Sequence, residues 1–399
     1  MQDIERRFSI EAILNFDQKI ILFIYAILVL EYDLYEFFHF GAIIPGYALT
    51  FLEILLLLFV IISSRCGVKK HYIMYSLLFL GIIWTFYFYP ECKNFLKDFF
   101  FAGSSIKKIF LLPLAVHCIK SPNKFTNRLY KISIIEGYIH IFCNGIWGYS
   151  YTEWGVFNYM VYGMALITPT CMVMQRAFSR PSKWNLLTLI IFESNIVIYG
   201  HRGALLVSII MMSIFFIRYV KVEKILLIVF LGIIASIAIY FFKENIIEYI
   251  FNVMESLNIE SRTLKKLLSG DITNDSERNT IWSIIGNGIL TKFPFGNGIG
   301  ADRVLLAETM RDGLYAHNFI FELCYNFGLI IGIGIVISII VMIYKSLTKI
   351  KDEEWYRLIV SFLIPSVVTL LTSSSIYQHW LFWLSVGFYF CYFGRKRIK

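Results

Sequence analysis

The chain has 399 residues, of which 58% are hydrophobic and 16% charged, with a mean hydropathy of +0.66. A soluble globular domain carries about 25% charged residues, so that class is excluded, and the formal charge of +9 has to be explained by where the basic residues fall. Apolar runs recur from Ile20 to Phe393, each long enough to cross about 30 Å of hydrocarbon as a helix. They do not alternate apolar and polar as barrel strands do, and only helices or closed barrels satisfy their backbone inside lipid. The expected fold class is therefore an all-α polytopic membrane protein.

About twelve spans are expected, at 20–38, 42–62, 72–90, 99–118, 130–147, 155–174, 184–200, 203–218, 224–242, 318–344, 356–373 and 376–393. This gives a membrane bundle of about nine spans over 1–242, a large loop over 243–316, and three last spans with a basic tail over 317–399. Charged residues before the first span (Glu5, Arg6, Arg7, Asp17, Lys19), with no small-residue cleavage site, argue against a cleavable signal. Basic residues alternate from side to side. Arg6 and Arg7, Arg65 and Lys70, Lys120 and Arg128, Arg176 and Lys183, Arg218 and Lys224, Lys345 and Arg357, and Arg395 and Lys399 all fall on one face. The positive-inside rule then places both termini in the cytoplasm and residues 243–316 outside. The basic excess is a topology signal, and no nucleic-acid partner is expected.

Within the outer loop, Ile247, Ile250, Met254 and Leu257 recur at helical spacing over 244–268, an amphipathic helix lying on the membrane or the bundle. Asp275 or Ser276 can cap a second helix from Glu277, which Phe293-Pro294-Phe295-Gly296 stops. The run Gly296-Asn297-Gly298-Ile299-Gly300 does not open a helix after a strand, so it reads as a turn and not as a nucleotide loop. Gly332 and Gly334 are either a small-residue helix contact or incidental in a lipid-facing span.

The seven cysteines contain no CxxC pair and read as small buried hydrophobes. The seven histidines are scattered, without HExxH or DxD. No metal site and no cofactor is expected; arginines can replace a metal at phosphate, because guanidinium is always charged and binds two oxygens at once. Three outward positions stand out. Arg202, in the short turn Tyr199-Gly200-His201-Arg202-Gly203, runs against the charge bias. Arg278 opens a helix, where a cation is mildly unfavourable unless an anion binds there. His317 begins the next span. Taken singly each also reads as an ordinary interfacial residue, but all three fall on one face beside apolar spans. Lys107 and Lys108 sit inside the run 99–118; they extend a diphosphate site or else shorten that span at an interface. Glu53, Glu136 and Glu193 read as paired with basic or polar neighbours. Glu322 lies one turn past His317, close enough to fix its tautomer.

His201-Arg202-Gly203-Ala204-Leu205-Leu206 resembles the arginine turn of bacterial O-antigen polymerases and O-antigen ligases. Glu277-Arg278-Asn279-Thr280-Ile281-Trp282, with Phe293-Pro294-Phe295-Gly296-Asn297-Gly298, resembles their large-loop motif. His317-Asn318-Phe319-Ile320-Phe321-Glu322 with Phe327-Gly328 is similar to their histidine-asparagine helix start. Serine or threonine more often precedes the arginine in that family, where this chain has His201. The resemblance implies a metal-independent, C-type-like glycosyltransferase of the bacterial cytoplasmic (inner) membrane, with its site on the outer face. Its donor would be a glycan on undecaprenyl diphosphate. Arg202 and Arg278 would clamp the diphosphate, with Lys107 and Lys108 extending that site. His317 would bind phosphate or activate the acceptor hydroxyl, supported by Asn318, Glu322 and His201. The activity implied is polymerisation of lipid-linked repeat units into O-antigen, capsule or exopolysaccharide. The alternatives are a ligase that moves the same glycan onto lipid A core and, further off, a transporter of lipid-linked oligosaccharide. The implied partners are the lipid-linked glycan, membrane lipid, a chain-length regulator and a flippase. The stretch 296–317, with Asp302, Arg303, Glu308, Arg311 and Asp312, would form a balanced polar wall on the acceptor side.

Overall fold

The computed structural model describes residues 19–25, 46–63, 71–99, 106–119, 121–142, 159–199, 202–220, 249, 252 and 277–396. The described residues are helical, without strands. Apart from residues 249 and 252, the amphipathic helix expected over 244–268 lies outside them, as does the span 224–242. Contacts divide the chain into two units. One comprises 1–28, 40–129 and 277–399, the other 29–39 and 130–276.

In the first unit the apolar runs become the helices Gly46–Ser63, His71–Phe88, Leu329–Thr348, Glu353–Thr372 and Trp380–Lys396. Two of them, Leu329–Thr348 and Glu353–Thr372, are long and apolar enough to cross a membrane. Their surroundings differ. Glu353–Thr372 is enclosed by protein, whereas Leu329–Thr348 turns Ile330, Ile331, Ile337 and Ile340 outward. Gly46–Ser63 likewise exposes Phe51, Leu55, Phe59 and Ile62. An apolar outer face of this extent is unfavourable in water and natural in lipid. In the second unit Tyr159–Ser179 packs against both Lys183–Tyr199 and Arg202–Tyr219, and Trp184, Leu187 and Ile190 face outward.

Two expected spans are built differently. The run 99–118 is not one α-helix: a π-helical turn, Ile106–Leu111, passes into Leu112–Ala115 and a 3-10 turn, Val116–Cys118. The run 318–344 divides at Gly328 into a short helix, Phe319–Phe327, and the membrane-length Leu329–Thr348. Gly328 has φ +84°, and a Cβ there would lie 2.2 Å from the Pro294 carbonyl oxygen. Only glycine tolerates both conditions. The glycine run upstream makes the break permanent. The Asn297 and Gly298 amides donate to the Tyr325 and Asn326 carbonyls at 3.0 Å each, satisfying the end of the short helix. The Tyr89 hydroxyl donates to the Gly296 carbonyl at 2.7 Å, and the Ile299 amide to Thr85 Oγ1 at 2.9 Å. Gly332 packs against Cys324, where a Cβ would come within 2.6 Å of Cα, while Gly334 faces open space.

Candidate functional site

The second part of the outer loop forms two helices, Arg278–Thr291 and Ala301–Thr309. Ile281, Ile285 and Ile289, four residues apart, make one buried stripe on the first of them. It packs with Leu306, Ala316, Cys324 and Tyr325 in a single apolar cluster, and Trp282 stacks on Phe321 at 5.9 Å with ring planes 6° apart. The residue before this helix is Glu277, left-handed at φ 70°, with no side-chain cap. Asp275 and Ser276, the expected caps, lie outside the described residues. Arg278 is the first helical residue and half-buried.

His317 is held in place from several sides. Its φ of 52° is in the left-handed region, which costs a non-glycine residue of order 1–3 kcal/mol unless neighbours over-determine it. On one side the Ala316 amide donates to Asp302 Oδ2 at 3.2 Å, and the Ala316 carbonyl accepts from Trp282 Nε1 at 3.0 Å. The Tyr315 hydroxyl donates to the Ser373 carbonyl at 2.6 Å, and its ring lies 3.9 Å from the His317 ring. On the other side Asn318 caps the short helix, accepting from the Ile320 amide at 2.9 Å. His317 Nδ1 is buried with no hydrogen-bond partner among the described residues.

Burial and the positive charges of Arg278 and Arg303 push the His317 pKa down to about 4. Arg278 and His317, the two loop residues read from the sequence, are thus electrostatically coupled. The imidazole is neutral at neutral pH, with an open nitrogen that can take a proton. Between about pH 4 and 6.5 the unfolded chain binds this proton and the folded chain does not, so the group's contribution to stability rises with pH across that window. If His317 is the base, the acid limb of kcat/KM for the free enzyme is expected near pH 4. A limb at pH 6 to 7 that vanishes in His317→Gln would show that the imidazole titrates normally and is not held in this environment.

Behind the histidine lies a buried ionic network. Arg303 Nη1 reaches Asp302 Oδ1 and Glu322 Oε1, both at 3.2 Å, and Nη2 donates to Ser375 Oγ at 2.8 Å. Ser375 Oγ donates to Glu322 Oε1 at 2.5 Å, and the Ile376 amide to Oε2 at 2.9 Å. Asp302 and Glu322 are each 0% exposed. This revises two expectations. Glu322 does not set the tautomer of His317: both of its oxygens are bound to the 375–376 turn and to Arg303. The helical spacing assumed between them fails because the helix begins only at Phe319. Asp302 is likewise interior, and the Arg303 guanidinium, although it lines a cavity, is held by these carboxylates. The sequence signal for the network was a carboxylate at 322 in an apolar run, matched by an adjacent acid and base at 302 and 303.

The remaining candidates separate. Lys107 is 0% exposed and ion-paired with Glu53, also 0% exposed. Its charge is therefore balanced inside the protein, which removes it from the diphosphate set. Lys108, half-buried, lines a cavity of the first unit. Arg202 is the first residue of the helix Arg202–Tyr219 in the second unit. His201 lies outside the described residues.

No curated protein matches the chain. Residues 186–336 match the model of the family described as O-antigen ligase. That stretch contains Arg202, Arg278 and His317 together, and over it the chain is similar to the O-antigen ligase family.

Proposed function

We propose that the protein is a polymerase that joins undecaprenyl-diphosphate-linked repeat units into a surface polysaccharide. It works without a metal, at the outer face of the bacterial cytoplasmic membrane, with both termini inside. Arg278 binds the donor diphosphate, the role the sequence resemblance implies for Arg202 as well. The acceptor hydroxyl attacks the anomeric carbon of the donor glycan with inversion. The bond from that carbon to the diphosphate oxygen breaks, its electron pair stays on the departing lipid diphosphate, and the hydroxyl proton passes to His317. A chain-length regulator and a flippase would act with it. A cysteine placed at position 270 should then react with an impermeant maleimide in intact spheroplasts, and labelling only after lysis would reverse the topology.

The observation that favours polymerase over ligase is that both arginines of the stretch 301–312 are already ion-paired. Arg303 is committed to Asp302 and Glu322, and Arg311 pairs with Glu277 at 3.1 Å. A phosphorylated, anionic lipid A core would meet Glu308 and Asp312 uncompensated, whereas a repeat unit would not be repelled. Deletion of the gene should leave a single repeat unit on the core, or no long polymer in a host without lipopolysaccharide. Full-length polymer stranded on its lipid diphosphate, with bare core, would identify the ligase instead.

A further inference from the structure

Next to the His317 loop the first unit holds a cavity of about 1120 Å³. Small-molecule sites are commonly about 300–1,000 Å³, so this one has room for an oligosaccharide. Its floor is aromatic. Tyr377 meets Phe95 and Phe99 edge to face with centroids 5.9 and 6.0 Å away, and Tyr315 closes the side toward His317. Its rim carries Asp98, Glu308 and Asp312, all exposed. Of the two basic side chains in the lining, Arg303 is held by Asp302 and Glu322, and Lys108 shares the lining with four carboxylates, these three and Glu91. The cavity therefore has the wrong sign for a diphosphate. Carboxylates that accept from hydroxyls, beside aromatic rings of which Phe95 already carries the Arg303 guanidinium at 4.4 Å, suit a sugar.

Resting on the polymerase reading above, we propose that this cavity is the acceptor subsite, and that it seats the terminal sugars of a glycan bearing no anionic group. Tyr315 is the hinge of the argument, since the same ring lines the cavity and lies against His317. A sugar bound there sits beside the Tyr315 ring that packs on His317. The wall 91–99 lies outside the matched segment 186–336, so part of this cavity is built by residues beyond that segment.

The test uses the purified full chain and two substrates. The donor is the lipid-diphosphate-linked repeat unit, and the acceptor probe is the soluble repeat-unit oligosaccharide released from the host polymer by mild acid. Asp98→Asn and Asp312→Asn should each raise the acceptor KM about ten-fold, the loss of one hydrogen bond to a charged group, with donor KM and kcat unchanged. An unaltered acceptor KM in both variants, or an equal rise in KM for both substrates, overturns the assignment. The underlying reading fails separately, if Arg278→Ala remains active.

Discussion

Arg278→Ala is expected to insert and fold normally and to lose about 10²–10³ in polymerisation rate, the usual cost of removing one positioned donor at developing charge. The reasoning begins with its place. Arg278 is the first residue of a helix whose backbone already turns its partial positive end toward the same spot, so the arginine adds to a positive potential that favours an anion. The helix itself is anchored by the Ile281, Ile285 and Ile289 stripe and by Trp282 on Phe321, none of which involves the guanidinium. Truncation should therefore spare the fold. Arg278→Lys should recover little, since an ammonium cannot bind two phosphate oxygens in a fork. Assays run in excess EDTA separate this from metal chemistry: the wild type should keep its full rate there. A rate restored only by Mg²⁺, or near-normal polymer from Arg278→Ala at normal expression, would remove the clamp from the mechanism.

The helices that carry these residues were legible because their apolar runs have the length of a bilayer, and the loop helix because its isoleucines fall four apart. What the sequence did not disclose depends on partners distant along the chain. A span read as continuous over 318–344 divides at Gly328 because amides at 297 and 298 satisfy its carbonyls. Hydropathy is blind to that exchange. The helix Ala301–Thr309 follows a glycine run and mixes acids with aliphatics, so it read as loop. Lys107 resembled a phosphate ligand until its partner, 54 residues earlier, came into view. Arg278 and His317 were found by their position at helix starts on one face, and the structure adds what position could not supply: the left-handed backbone of His317 and the contacts that hold it. Asp302, Arg303 and Glu322 were singled out from sequence but given the wrong work, because burial decides whether a charged residue meets the substrate or another side chain.

Their actual work leads to the second large effect. Arg303→Met is expected to destabilise the first unit by about 3–5 kcal/mol, the cost of removing one partner from a buried ion pair. The guanidinium bridges Asp302 and Glu322. Without it two carboxylates with 0% exposure remain in a low-dielectric interior. Glu322→Gln should cost less, since the amide oxygen still accepts from Ser375 or the Ile376 amide and one unpaired charge is avoided. Combining Arg303→Met with Glu322→Gln should therefore be milder than the sum of the two, a positive coupling that a merely steric role for Arg303 would not produce. The same network explains why such changes should reach catalysis. Asp302 holds the Ala316 amide and Ser375 fixes the turn that begins at Ser373, so the His317 loop is tied to the network at both ends. Thermal unfolding of the purified chain in detergent, read beside polymer formation, distinguishes the outcomes. An Arg303→Met protein with the wild-type midpoint and rate would mean that the three charges are independent surface groups and that the histidine is held by something else.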